Sequence, residues 1–317
     1  MTSLSLKELN KQPVRLASGH RLCAGCAEAI IARQILMGTS DPVAVSLSTG
    51  CFEVSTTVFP YTSWNVPYIH TAFGNGAATC AGLETAYKAL KKKGKIEENV
   101  KFVNFAGDGA TYDIGLQALS GAMERGHDMM YVCLNNEAYM NTGIQRSSAT
   151  TMGASTTTSW AGTVQAGKKE FSKDMTAIMV AHNIPYVAQV SPHNWRATVT
   201  KASKGFEADG PSFINAISPC PRGWRFPSDS TVDMARLAVE TCVWPLFEVV
   251  DGQYSLTAES ARIADGKAER RPVIDWLSAQ GRFKHLLQDR CESVVEAYQA
   301  EVDRRWKKLV KLSETEF

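Results

Sequence analysis

Two stretches of this sequence carry residue types at spacings that chemistry needs. The first, "GDGATYDIG", sets Asp108 between Gly107 and Gly109, after a strand-like run and before a helix-like one. Glycines let a ligand's phosphates approach the backbone closely. Free N–H groups at a following helix N-terminus favour an anion. A carboxylate in that place can hold a hard cation such as Mg2+ through oxygen. About 25 residues on, the next strand-like run ends in "NNEAYMNTG", a separation that a βαβ unit requires. Asn136 then returns an amide oxygen to the sheet edge that carries Asp108, where ligands of open α/β sheets sit. Together the two can clamp one Mg2+ and a diphosphate. A bare Gly-Asp-Gly is more often a plain tight turn; the second half at the right spacing makes it a site.

The other stretch, "HRLCAGCAEA", holds Cys23 and Cys26 at C-x2-C spacing. Such a pair can ligate zinc, hold an iron–sulfur cluster, act as a thiol–disulfide couple or simply pack. Cys51 and Cys220 each follow a predicted strand, with Gly50 and Pro219 beside them. They can therefore reach the edge where Asp108 lies. Four thiolates complete a cluster shell, and zinc takes four as well, although its sites more often use two close pairs. Of the remaining cysteines, Cys80 and Cys133 stand in helix-like and strand-like apolar runs and read as packing residues.

These residues need a scaffold. "VAVSL" from Val43, "VKFVNFAG", "MMYVCLNN", "PYVAQVS" and "SFINAIS" read as strands, and helix-like segments alternate with them. That alternation predicts an α/β fold, a mostly parallel sheet with helices on both faces. The polar stretch "RSSATTMGASTTTSWAGTVQAGKK" is either a flexible linker or a long ordered loop at a site. After Cys220 the pattern changes to loop-like and irregular segments, then a terminal amphipathic helix with Tyr298, Val302 and Leu309 on its packing side.

The 34 basic and 32 acidic side chains nearly cancel, which leaves no electrostatic footprint of nucleic-acid binding. No apolar run of about 18 residues predicts a membrane span, and the N-terminal stretch has no signal-peptide core. A cytoplasmic protein is expected, and with eight cysteines in so long a chain, disulfides are the poor explanation.

The longer string from "GDGATYDIG" to "EAYMNTG", Gln145, Ser147 and Ala149-Thr150 resembles the thiamine diphosphate motif of the 2-oxoacid:ferredoxin oxidoreductases. "VSLSTGCFEVSTTVFPYTSWNVPYIHTAF", "SPCPRGWR" and "QGRFKHLL…VDRRWKKL" extend the resemblance over the whole chain, which is most similar to β subunits of the pyruvate:ferredoxin enzymes. The resemblance implies a thiamine diphosphate-binding fold over residues 1–220, and a C-terminal extension over 221–317 whose terminal helix packs on the domain or a partner. It implies three cofactors: thiamine diphosphate, Mg2+ and a [4Fe-4S] cluster on Cys23, Cys26, Cys51 and Cys220. Gly107, Asp108, Gly109 and Ala110 match the diphosphate segment. Asp108, Asn136 and the Ala138 carbonyl match the Mg2+ ligands. The run Asn136, Glu137, Ala138, Tyr139, Met140 and Asn141 matches the rest of the cofactor loop, with Asn141 beside the reactive ring as the catalytic candidate. Glu28 matches a cofactor-contacting glutamate, and Cys51 matches a residue serving both groups.

The activity implied is oxidative decarboxylation of a 2-oxoacid, pyruvate first, to acyl-CoA and CO2, with electrons passing to ferredoxin. The length leaves no room for the pyrimidine-binding domain such enzymes need. An α subunit supplying that domain and its activating glutamate is therefore expected, together with γ and ferredoxin-like δ subunits in a hetero-oligomer. Two departures stand out. Ala27 follows the second cysteine where glycine is usual, and Gly74 replaces a glutamate. The lost negative charge at Gly74 makes oxalate, oxidised to CO2 without coenzyme A, the alternative substrate. An alternative of another class is a non-catalytic electron-transfer or scaffold subunit with a four-cysteine metal site.

Overall fold

The computed structural model describes residues 5–315; the first four residues of the N-terminal stretch and the last two of the extension lie outside the described residues. Eight strands form one sheet: β1 Val43–Ser48, β2 Tyr68–Thr71, β3 Lys101–Gly107, β4 Met130–Asn135, β5 Tyr186–Val190, β6 Ser212–Ile217, β7 Phe247–Val250 and β8 Gln253–Leu256. Their order is β2-β1-β3-β4-β6-β5-β7-β8. The first six are parallel, and β7 and β8 are antiparallel to their neighbours.

The central strands follow from composition. Every residue of β4 and β6 is buried, as apolar runs covered on both faces must be. On one face Ile31 and Ile35 of helix Ala27–Leu36 and Ala202 and Phe206 of helix Trp195–Glu207 pack against Val45, Val132 and Ile214. On the other, Cys80 of helix Gly76–Lys92, Leu119 of helix Leu116–Glu124 and Met179 pack with Tyr131, Cys133 and Phe213. Cys80 and Cys133 are fully buried parts of this core. Asn194 starts the helix Trp195–Glu207 by accepting the Ala197 N–H at 3.0 Å, an N-cap of the usual kind.

The segment after residue 220 belongs to the same sheet. Its "FEVVDGQYSL" forms the hairpin β7–β8 around Asp251 and Gly252, both at positive φ, as a two-residue turn of this type demands. Its terminal helix, Glu292–Ser313, buries Tyr298 and Val302 in a third core with Trp224, Trp276 and Phe283, and Leu309 against the main one. The stretch expected to be irregular is ordered: helices Ala258–Ala264 and Val273–Ser278 lie within it.

Candidate active site

Four neighbouring parallel strands end at one sheet edge, and each delivers one candidate residue there. β1 leads through Thr49-Gly50 to Cys51, β3 to Asp108, β4 to Asn136, and β6 through Ser218-Pro219 to Cys220. The pairing of Gly107 with Leu134 sets Asp108 and Asn136 side by side. Directly after Asp108 the backbone makes a π-helical turn, Gly109–Asp113, before helix Leu116–Glu124 begins. Such turns concentrate at functional sites. Gly109 lies against the Tyr139 ring so closely that a β-carbon would enter the ring. Tyr139 donates its hydroxyl to Asp113 Oδ2 at 2.9 Å, which also accepts the Ser148 N–H at 3.0 Å.

Asp108 is fully buried. Its Oδ2 accepts a hydrogen bond from the Ser147 hydroxyl at 2.5 Å, while Oδ1 has no partner among the described residues. Burial pushes its carboxyl up to about 7. Glu28, at the start of helix Ala27–Leu36, is also buried; it accepts the Asn136 amide at 3.1 Å on Oε1, and Oε2 has no partner among the described residues. Burial pushes Glu28 to about 7 as well, against hydrogen bonds from Asn136 and Cys26. Buried carboxylates with a free oxygen are costly unless a cation or donor meets them. Both open onto one cavity of about 240 Å3. A divalent cation with a phosphorylated ligand fits that donor set.

Of the residues expected at the cofactor, Glu28, Cys51, Gly107, Asp108, Gly109, Asn136, Ala138, Tyr139, Met140 and Asn141 line this cavity. Two do not. Ala110 is packed into the main core. Glu137 adopts φ 65°, and this left-handed turn sends its side chain to the far side of the strand end. There it meets Arg282 Nη2 at 2.7 Å, without the alignment of a hydrogen bond. A larger cavity, about 310 Å3, lies behind, between the sheet and the terminal helix.

The four expected cluster cysteines are free thiols, Cys23 exposed and Cys26, Cys51 and Cys220 half-buried. They share one electrostatic neighbourhood. Burial raises Cys26 and Cys51 far above the ordinary thiol range, and the negative charges of Glu28 and Cys220 raise both further. Burial raises Cys220 too, with Glu28 and Cys23 adding to it. The Gly223 N–H points at Cys220 Sγ at 3.4 Å. Among the described residues no three His, Cys, Asp or Glu are arranged to hold a single metal ion. A cubane instead seats each cysteine on a different iron, and four thiols with an N–H···S contact are a donor set it takes. The Cys23–Cys26 loop is pinned from outside. Gly25 has φ 75° and its missing β-carbon would strike the Ser228 backbone, and Thr231 Oγ1 donates to the Gly25 carbonyl at 2.5 Å.

Sequence reasoning missed the residues that hold this site. The Ser/Thr-rich stretch is an ordered loop: Ser147 reaches Asp108, Thr150 Oγ1 donates to the Glu137 carbonyl at 2.6 Å, and buried Lys168 donates to the carbonyls of Thr150 at 2.5 Å and Ser147 at 3.5 Å. Burial pulls the Lys168 ammonium down to about 8. Trp224 donates its indole N–H to the Asn136 carbonyl at 2.8 Å. The "QxSxAT" spacing was the available signal for Ser147 and Thr150; nothing local pointed to Thr231 or Arg282.

The family described as thiamine pyrophosphate enzyme, C-terminal TPP binding domain, matches residues 48–216. The chain is 47% identical over 315 residues to the pyruvate synthase subunit PorB of Thermotoga maritima, covering 97% of this chain and 95% of that one. It is 48% identical over 280 residues to PorB of Methanocaldococcus jannaschii, covering 88% and 92%. It is 41% identical over 297 residues to the ketoisovalerate oxidoreductase subunit VorB of Pyrococcus horikoshii, covering 94% and 93%. The fold is also that of a solved 2-oxoglutarate:ferredoxin oxidoreductase from Magnetococcus marinus, with TM-score 0.54 at 19% identity over 74% of this chain and 81% of that one. The chain belongs to the PorB-type β subunits of the 2-oxoacid:ferredoxin oxidoreductases and carries their thiamine pyrophosphate-binding domain.

Proposed function

We propose that this subunit binds thiamine diphosphate through Mg2+ beside a [4Fe-4S] cluster, and that the complex it forms oxidatively decarboxylates pyruvate to acetyl-CoA and CO2. The observation that carries this is shared occupancy. Glu28 and Cys51 line the cavity that holds Asp108 and Asn136, and both are electrostatically coupled to the cluster cysteines. A redox group on those thiols is therefore next to whatever fills the cavity. A zinc or scaffold role gives no reason for that adjacency, nor for two buried carboxylates with a free oxygen each.

Asp108 Oδ1, the Asn136 amide oxygen and the Ala138 carbonyl would hold Mg2+. Gly107, whose β-carbon position is open, would let a diphosphate reach it. When bound, thiamine diphosphate supplies the carbon nucleophile that adds to a 2-oxo group. Glu28 would hold a proton or hydrogen bond at Oε2 in a cavity whose walls include the apolar rings of Phe52, Phe73 and Phe105. Asn141, exposed and lining the cavity, interacts with Cys51 and would orient the bound 2-oxoacid. An α subunit would bring its pyrimidine-binding domain and glutamate to the mouth of this cavity. The γ and ferredoxin-like δ subunits would carry electrons on to ferredoxin.

Pyruvate is favoured because relatives at 47% and 48% identity are pyruvate synthase subunits. The oxalate reading rests on Gly74, which contacts Ile114 at 3.2 Å from its absent β-carbon position and lies outside the cavity lining. Anaerobic turnover of the assembled complex decides the matter, with pyruvate, ketoisovalerate, 2-oxoglutarate and oxalate, each with and without coenzyme A. The highest kcat/KM should belong to pyruvate and require coenzyme A. Faster turnover of oxalate without coenzyme A, or of ketoisovalerate, would overturn the substrate assignment.

A further inference from the structure

We infer that Arg282 is a positioning residue for the Mg2+ clamp: its buried pairing with Glu137 holds the left-handed turn that presents Asn136 and Ala138 to the metal. This rests on the ligand assignment proposed above.

Glu137 stands between the two ligands at φ 65°, a conformation that glycine adopts freely and a glutamate resists. Its backbone is held at both ends, by the Asn135 side-chain oxygen on its N–H at 3.1 Å and by Thr150 on its carbonyl at 2.6 Å. Neither contact explains a carboxylate. That group is buried and faces Arg282 at 2.7 Å. Arg282 is itself fixed. Its guanidinium stacks 4.0 Å over the Trp224 ring and donates through Nε to Gln280 at 2.8 Å.

The same Trp224 grips the Asn136 carbonyl and stands four residues after Cys220 in helix Pro221–Trp224. One side chain thus carries the arginine and one ligand residue of the clamp. If Arg282 is lost, nothing holds the Glu137 side chain in place, and a residue that resists φ 65° gains by leaving the turn, the more so when it is a buried charge with no partner close by. The turn that moves is the one between the ligands. Lys168 acts on Glu137 only at longer range and cannot replace the pair. The segment after residue 220 therefore does more than pack: it supplies the outer support of the metal loop.

The experiment uses the complex purified anaerobically, stripped of thiamine diphosphate and Mg2+ with a chelator, and titrated with thiamine diphosphate at fixed Mg2+ by calorimetry. Arg282→Met should bind the cofactor roughly 10–100-fold more weakly, the usual effect of losing an outer support of a metal ligand, with iron content as in the wild type. Glu137→Gly/Arg282→Met should recover most of the affinity, because glycine takes the turn unaided. Glu137→Gln/Arg282→Met should stay weak. Wild-type affinity in Arg282→Met, or equal weakness in both double variants, would overturn the inference. Should Arg282→Met fail to assemble, the double variants, which bury no unpaired charge, carry the comparison. Wild-type binding that ignored Mg2+ would instead refute the ligand assignment.

Discussion

Ser147→Ala is the perturbation from which the structure predicts most. The Ser147 hydroxyl donates to Asp108 Oδ2 at 2.5 Å, where both residues are buried. It also accepts the Ala149 N–H at 3.1 Å. Removing it leaves the carboxylate without a side-chain donor among the described residues and frees the group to rotate. A hydrogen bond to a charged group contributes about 1.5–3 kcal/mol, equivalent to roughly a 10- to 150-fold change in an equilibrium constant. The usual effect of losing an outer partner of a metal ligand, about 10–100-fold, agrees. The assay is calorimetric titration of the chelator-stripped complex with thiamine diphosphate in excess Mg2+, with iron counted on the same sample. The expected result is a Kd raised at least about tenfold at unchanged iron content. Ser147→Thr should keep the hydroxyl and most of the affinity. A Kd for Ser147→Ala indistinguishable from the wild type would refute the claim that this serine aims Asp108.

Other outcomes follow from the same geometry. Gly25→Ala forces a side chain into left-handed backbone against the Ser228 backbone. The strain, roughly 2–5 kcal/mol from conformation and overpacking together, should open the Cys23–Cys26 loop and cut iron content and visible absorption while the chain still folds. Glu259 accepts hydrogen bonds from Asn194 at 3.0 and 3.1 Å and pairs with His193 at 3.5 Å; chiefly through His193 its carboxyl is held down at about 2. A depressed folded-state value gives stability that is full above the ordinary value near 4.5 and fades as pH falls toward about 2. Glu259→Gln should therefore lower the melting free energy by about 1 kcal/mol at neutral pH, a figure reduced for its partial exposure. The difference from the wild type should shrink progressively below pH 4.5 in thermal melts; a difference constant with pH would contradict the pairing.

Much of the scaffold was legible because its physics is local. Val43–Leu47 and Met130–Leu134 are short, mostly apolar runs, as strands covered on both faces use. β2 was missed because Tyr68, Ile69 and His70 are exposed on an edge strand, where no burial pattern forms. β7 and β8 were missed although Asp251-Gly252 is a strong hairpin signal, since the segment through Phe247 read as a helix and a turn and the one from Gln253 as irregular. Asp108 and Asn136 were legible from spacing, for strand ends in a parallel sheet recur at the length of a βαβ unit. Cys51 and Cys220 needed the family pattern to join Cys23 and Cys26. Glu137 was placed at the cofactor because its neighbours are there; the sign of φ that turns it away is not written in residue types. Ser147 and Arg282 act over long sequence separations, 39 residues to Asp108 in the first case, and such pairings are fixed by tertiary packing alone.

On the reading proposed above, two cofactors share one sheet edge yet use separate ligands. This is tested most directly by counting thiamine diphosphate, Mg2+ and iron per chain in the anaerobically purified complex carrying Asp108→Ala. About four irons should stay on this chain, while thiamine diphosphate and its Mg2+ should be lost. Full thiamine diphosphate content in that variant, or one zinc in place of iron in the wild type, would contradict it.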